Sequence, residues 1–183
     1  DNNLCPHQDY VYFSFPTEKE EKTILKSYGN GLKIYDKYKN NQDLLNLVLT
    51  NDIYLKKDKF KKVYYDNEDY YSSLLLYLKE NNIALPHYAK SLINNKNLDI
   101  VSFETLLQNV LFDDQYSYNN STLITSMKKE FSALGVVNKR KVCISHNDKI
   151  NKIITMSTSK LNSIETIVSS EVNNNKDMKC LIL

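Results

Sequence analysis

Apolar residues recur every three or four positions along most of this chain, the spacing that places them on one face of an α-helix. The clearest example follows Ser102, where Phe103, Leu106, Leu107 and Leu111 keep this spacing throughout. The same periodicity predicts helices over residues 17–29, 40–49, 68–80, 86–93, 121–134 and 157–172. The pattern therefore predicts a mainly α-helical protein.

Residues that cap helices stand at several of these predicted ends. Thr17 and Glu20 have the spacing of a capping box, in which each side chain accepts a hydrogen bond from the backbone amide of the other residue. Asn67 precedes another apolar stripe and is predicted to cap it. Gly29 and Gly135 are predicted to end helices, because glycine readily adopts the left-handed conformation found there.

Short segments rich in aromatic and β-branched residues predict a small β component. These segments are residues 10–15, 142–145, 150–156 and 178–183, of which the third is equally compatible with a helical turn. Residues 31–38 fit neither pattern clearly. The predicted fold class is therefore α+β and mainly α: a helical bundle over residues 1–135, then a strand–helix–strand segment over residues 136–183.

The final apolar run, from Met178 to Leu183, has the composition of a strand, and the chain stops within it. A strand needs a partner, and a domain seldom ends on a bare apolar segment. We therefore expect the chain to be a piece of a longer protein.

Composition and charge exclude few classes of protein. With 183 residues, 42% of them hydrophobic and 25% charged, the chain resembles an ordinary globular domain. No apolar run approaches the roughly 18 residues of a membrane span, so no membrane partner is expected. The cysteines, Cys5, Cys143 and Cys180, are odd in number and far apart, which favours a reducing cytoplasm over a disulfide framework.

Basic residues cluster in two places, although the net charge of +2 neither requires nor excludes nucleic acid. The densest run, residues 56–62, contains Lys56, Lys57, Lys59, Lys61 and Lys62. A predicted turn contains Lys139, Arg140 and Lys141. Both clusters could contact phosphate groups. The alternative, which is the commoner case for such runs, is a solvated helix face or loop.

The motifs of nucleotide and metal sites are absent from the sequence. Its glycines, Gly29, Gly31 and Gly135, cannot build either of the common phosphate-binding loops, so no cofactor is predicted for this chain. Cys5 and His7 are two potential zinc ligands, but a zinc site needs about four.

A catalytic alternative depends on two histidines. His87 stands beside Tyr88, and His146 stands near Asp148. These are the only pairs that suggest acid–base chemistry, and residues adjacent in sequence do not by themselves form a site. A stand-alone enzyme is therefore the least favoured interpretation.

Part of the chain resembles a known family. The carrying segments are K-K-E-F-x-x-L-G-V-V-N-K-R-K-V from Lys128 to Val142, Ser157-x-x-Lys160-x-x-Ser163-Ile164-x-x-Ile167-Val168-x-x-Glu171, the run from Met178 to Leu183, and Tyr12-Phe13-Ser14-Phe15-Pro16-Thr17-x-x-Glu20. They resemble the region between the two RecA-like motor domains of large bacterial DEAD/DEAH-box-like (superfamily-two) helicases, running into the start of the second motor domain. The resemblance covers about a third of the chain.

The resemblance implies an inter-motor region of an ATP-dependent helicase. ATP and Mg²⁺ would belong to the motor domains of the parent protein, and the missing motor domains would be partners of this region. No catalytic or nucleotide-binding residue of the family can be placed on this sequence. DNA or RNA would be contacted through the basic clusters, and the competing hypothesis is a helical protein-interaction module without enzymatic activity.

Overall fold

The computed structural model describes residues 13–114, 117–118, 122–145 and 147–174. These residues form a mainly helical protein with a small two-stranded antiparallel sheet, which confirms the predicted fold class. The helices are α1 (Glu18–Tyr38), α2 (Gln42–Leu49), α3 (Lys57–Asp66), α4 (Glu68–Glu80), α5 (His87–Ile93), α6 (Ile100–Gln108), α7 (Thr122–Leu134), α8 (Asp148–Thr155) and α9 (Thr158–Asn174). The strands are β1 (Val137–Asn138) and β2 (Lys141–Val142), a 3₁₀ turn spans Asp52–Leu55, and a π-helical turn spans Asn109–Asp113.

The described residues divide into two compact units. The larger unit comprises residues 25–147, and the smaller comprises residues 13–24 with residues 148–174. The predicted domain boundary between residues 135 and 136 stays a prediction.

Helix α4 lies at the centre of the larger unit. All residues from Leu74 to Leu78 are buried, so this part of the helix is enclosed on every side. It packs against α3, α5 and α6. The ring of Tyr77 lies 5.9 Å from that of Phe103 on α6.

Gly29 was predicted to end α1, but the helix continues to Tyr38. Ile34 and Tyr38 are buried, and burying a large apolar side chain contributes roughly 1.5–3 kcal/mol, more than the cost of about 1 kcal/mol for a glycine within a helix. Gly31 has a separate role, because a Cβ atom there would overlap the carbonyl oxygen of Ile144. The helix therefore approaches another backbone segment at a position that only glycine fits.

The other helix ends show how far local capping signals determine the boundaries. The side chain of Asn67 accepts a hydrogen bond from the amide of Tyr70 at 3.4 Å, and Gly135 (φ 70°) ends α7, as predicted. Ser102 does not begin α6, because Asp99 caps it earlier by accepting the Ser102 amide at 2.7 Å.

The sheet is a hairpin at the start of the predicted strand–helix–strand segment. Val137 pairs with Val142, and Asn138 pairs with Lys141. Residues 150–156 were predicted as a strand or a helical turn, and residues 148–155 are helical. Ile150 is buried, as expected for one face of an amphipathic helix. The strand predicted at residues 178–183 lies outside the described residues.

The carboxylate of Glu20 links two segments of the smaller unit. Its Oε2 atom accepts the Thr17 amide at 2.7 Å, and the Glu20 amide donates to the Thr17 hydroxyl at 3.4 Å, which confirms the capping box. The same carboxylate accepts the Ser157 hydroxyl at 3.0 Å and the Thr158 amide at 3.2 Å. The hydrogen bond from the Thr17 amide is the main cause that lowers the pKa of Glu20 to about 2. Glu20 therefore joins the starts of α1 and α9.

Residues 10–15 were predicted to form a strand, but the described residues of this segment, 13–15, do not form one. Residues 13–15 are irregular, and both Phe13 and Phe15 are 76% exposed. No strand within the described residues pairs with them, so their high β propensity has nothing to stabilise it. Residues 10–12 lie outside the described part of the chain.

Candidate nucleic-acid interface

Helix α3 displays the densest basic run on its solvent-facing side. Phe60 and Tyr64, four residues apart, are buried against the rest of the larger unit. In an α-helix this spacing defines a single inward face, so the intervening positions turn outward. All five lysines of the run, Lys56, Lys57, Lys59, Lys61 and Lys62, are exposed. The run therefore lies on a helix, and its apolar residues anchor that helix in the core.

The lysines of this run differ in their partners. Lys56, at the N-cap position, forms an ion pair with Asp52 at 2.7 Å and gives no side-chain cap to α3. Lys57, Lys59, Lys61 and Lys62 form no ion pair with another described residue. These four ammonium groups are available to an external anion.

The same helix exposes an aromatic side chain that sequence reasoning did not single out. Tyr65 is 73% exposed, whereas its neighbour Tyr64 is only 3% exposed. Their rings meet edge to face, with centroids 5.6 Å apart and an interplanar angle of 87°. The spacing of Phe60 and Tyr64 marks the buried face, so Tyr65 could have been recognised as pointing outward. Tyr65 follows Lys61 by four residues and Lys62 by three, which makes them neighbours on the helix surface.

The second basic cluster lies at the tip of the hairpin. Lys139 adopts a left-handed conformation (φ 57°), and Lys139 and Arg140 form the turn between β1 and β2. Arg140 is directed back toward the protein, because its Nη2 atom donates to the carbonyl oxygen of Phe112 at 3.0 Å. Gln108 donates to the Arg140 carbonyl oxygen at 3.1 Å and accepts the Val142 amide at 2.8 Å. Arg140 thus has a role in holding the hairpin to the end of α6.

The two predicted clusters lie on elements with different neighbours. Helix α3 packs on α4 and on the 3₁₀ turn, whereas the hairpin packs on α6 and α7. The stronger candidate interface is therefore α3 alone.

A cleft of about 370 Å³ near the C-terminal end of α3 is unsuited to phosphate groups. It is lined by Asp66, Asp113 and Asp114, among others. At this cleft the Tyr70 hydroxyl lies 2.9 Å from the Tyr118 hydroxyl and donates to Asp114 at 3.3 Å. Burial raises the pKa of Tyr118 to about 12 and raises that of Tyr70 further, so both hydroxyls are protonated at neutral pH. They act here as buried hydrogen-bonding groups.

Of the residues considered for catalysis or metal binding, the structure describes His87, Tyr88 and Asp148. No group of three or more His, Cys, Asp or Glu side chains among the described residues is placed to hold a metal ion. Tyr88, next to the exposed His87, donates its hydroxyl to the carbonyl oxygen of Tyr54 at 2.6 Å and so joins α5 to the 3₁₀ turn. Cys5, His7 and His146 lie outside the described residues.

Comparisons with known proteins identify no family for this chain. No family model, no curated protein and no solved structure matches it. Within the described residues, no helix is both long enough and apolar enough to span a membrane.

Proposed function

We propose that this chain is a nucleic-acid-contacting accessory region of an ATP-dependent motor of the helicase type, and that α3 makes the contact. The observation that carries the proposal is the set of exposed lysines, Lys57, Lys59, Lys61 and Lys62, which form no ion pair with another described residue while Phe60 and Tyr64 fix their helix in the core. Phosphate groups are the natural partners of such a surface. The sequence resemblance supports the helicase setting, in which ATP and Mg²⁺ would be bound by the motor domains.

The charge on α3 is limited, and this sets the expected strength of binding. Asp58 and Asp66 lie on the same helix, and Lys56 is already paired with Asp52. Contact with a few phosphates gives weak binding that depends steeply on salt. The region would therefore add to the affinity of a motor for its track.

The test is binding of fluorescein-labelled single-stranded and duplex DNA by the 183-residue chain at several salt concentrations. We expect a plot of log Kd against log salt concentration to have a slope of magnitude about 2–4, since each phosphate contacted contributes about 0.7 for a single strand and about 0.9 for duplex. A variant with the four lysines of α3 reversed should lose at least about tenfold in affinity and most of the salt dependence. Its substitutions are Lys57→Glu, Lys59→Glu, Lys61→Glu and Lys62→Glu.

A matched control separates a local contact from an effect of net charge. It reverses four exposed lysines elsewhere, which changes the net charge equally. Its substitutions are Lys19→Glu, Lys26→Glu, Lys33→Glu and Lys90→Glu. We expect this control to retain most of the binding. Equal losses in both variants, or no binding by the unmodified chain at low salt, would contradict the proposal.

Helix α9 supports a second candidate function, protein interaction through a second copy of this chain. Its apolar face is largely exposed among the described residues: Leu161 is 60% exposed, Ile164 37% and Val172 47%. Such exposed apolar side chains are typical of an interaction surface.

The positions of the charged residues favour parallel pairing of two α9 helices. With Leu161 at position a of a heptad, Ile164 occupies d, Lys160 occupies g and Glu165 occupies e. In a parallel coiled coil, g of one helix faces the following e of the other, so Lys160 would face Glu165 of the second copy. Glu171 would occupy the next d position and weaken the seam, so the association should be weak.

Sedimentation equilibrium tests this pairing. We expect concentration-dependent self-association that Lys160→Glu weakens and that Lys160→Glu combined with Glu165→Lys restores. The double variant is the control, since it keeps the net charge and reverses the pair. A monomer at every concentration, or failure of the double variant to recover, counts against pairing through α9.

A further inference from the structure

We propose that α3 is a single-strand binding site, in which Tyr65 stacks on a nucleobase while Lys61 and Lys62 contact the adjacent phosphates. This inference rests on the proposed function and specifies its ligand. It depends on one further feature of this helix, an exposed tyrosine ring near the C-terminal end of α3, one turn after Lys61 and Lys62 and next to Asp66.

The position of the ring fits a stacking platform. Tyr65 is 73% exposed, so most of its surface is accessible to a planar ligand. Contact with the edge or face of the buried Tyr64 ring, at a centroid distance of 5.6 Å, limits the orientations that the Tyr65 ring can take. A ring that is held on one side and open on the other loses little conformational freedom when a base stacks on it.

The neighbouring charges complete the site. Residues three and four positions apart on a helix have Cβ atoms about 5–6 Å apart, so Lys61 and Lys62 flank Tyr65. Neither lysine forms an ion pair with another described residue. An aromatic platform bordered by cations is the combination that binds single-stranded nucleic acid without sequence preference.

The chemistry also favours single strands over duplex. In a duplex each base is stacked between its neighbours, and its flat face is not accessible to a protein side chain. Lysines alone bind both forms, since both carry phosphates. Tyr65 should therefore contribute to single-strand affinity and contribute nothing to duplex affinity.

The experiment measures fluorescence anisotropy of a labelled oligothymidylate and of a labelled duplex with the 183-residue chain at low salt. Stacking of a base on an aromatic ring contributes about 1–3 kcal/mol, so Tyr65→Ala should weaken single-strand binding at least about fivefold. Duplex binding should not change. Tyr65→Phe keeps the ring and should bind as the unmodified chain does, whereas Tyr65→Leu should bind like Tyr65→Ala.

Tyr28→Ala is the matched control, because Tyr28 is 52% exposed on α1 and lies outside the proposed site. It should leave both affinities unchanged. If both DNA forms bind through the α3 lysines and Tyr65→Ala changes neither affinity, the single-strand inference is wrong and the proposed function stands. If the chain binds neither form at low salt, both are overturned.

Discussion

Replacing Gly31 with alanine is expected to destabilise the larger unit by about 3 kcal/mol, because the added methyl group would force a backbone segment to move. A Cβ atom at this position would lie 3.1 Å from the carbonyl carbon of Ile144 and closer still to its oxygen. A backbone carbonyl cannot rotate away as a flexible side chain can. The free energy of unfolding, measured by urea denaturation, is the quantity to compare.

Gly29 provides the control for this substitution. It lies two residues earlier on the same helix, and no atom lies within 4 Å of the Cβ that alanine would add. Alanine is favoured over glycine in helix interiors by about 1 kcal/mol, so Gly29→Ala should stabilise the protein slightly. If Gly31→Ala proved as stable as Gly29→Ala, α1 would not approach Ile144 as closely as the structure shows.

Removal of the Glu104 carboxylate is expected to cost about 3 kcal/mol. Its Oε2 atom accepts the amides of Ile144 and Ser145, both at 2.6 Å, and so fastens the segment after β2 to α6. Hydrogen bonds to an ionised acceptor contribute about 1.5–3 kcal/mol each, and Glu104→Ala removes both. Glu104→Gln should lose about half as much, since its neutral oxygen is a weaker acceptor.

Urea denaturation and amide hydrogen exchange together measure this effect. The exchange of the Ile144 and Ser145 amides should accelerate in Glu104→Ala. Glu80→Ala is the control, because it removes the same charge from an exposed position at the end of α4. It should change the free energy of unfolding by less than about 0.5 kcal/mol. Unchanged exchange at both amides would show that Glu104 does not hold this segment.

The sequence predicted those features that depend on residues close together in the chain. The capping box of Thr17 and Glu20 and the left-handed Gly135 were confirmed, because each requires only a few consecutive residues. The prediction that Gly29 ends a helix was wrong for a related reason. A glycine favours the end of a helix, but the helix continues where the residues that follow become buried by continuing it. Here Ile34 and Tyr38 are buried because α1 continues past Gly29.

The features that could not be predicted join distant parts of the chain. Nothing in the residues around Gly31 or Glu104 indicates that both lie against Ile144. The sequence showed the lysines of α3 as a group, and the structure adds that they lie on the exposed side of one helix. The exposure of Tyr65, by contrast, was indicated by the four-residue spacing of Phe60 and Tyr64, which both lie on the buried face.

The hairpin tip has a practical consequence for probing this protein. Arg140 is the only arginine in the chain, and it lies in the turn between β1 and β2. A protease that cleaves only after arginine therefore has a single target bond, which joins Arg140 to Lys141. The attachments of Arg140 to Gln108 and Phe112 must loosen before such an enzyme can bind the turn in an extended form. Cleavage converts the chain into residues 1–140 and 141–183. The rate of this cleavage would thus report how often the hairpin opens, and the measurement needs no label.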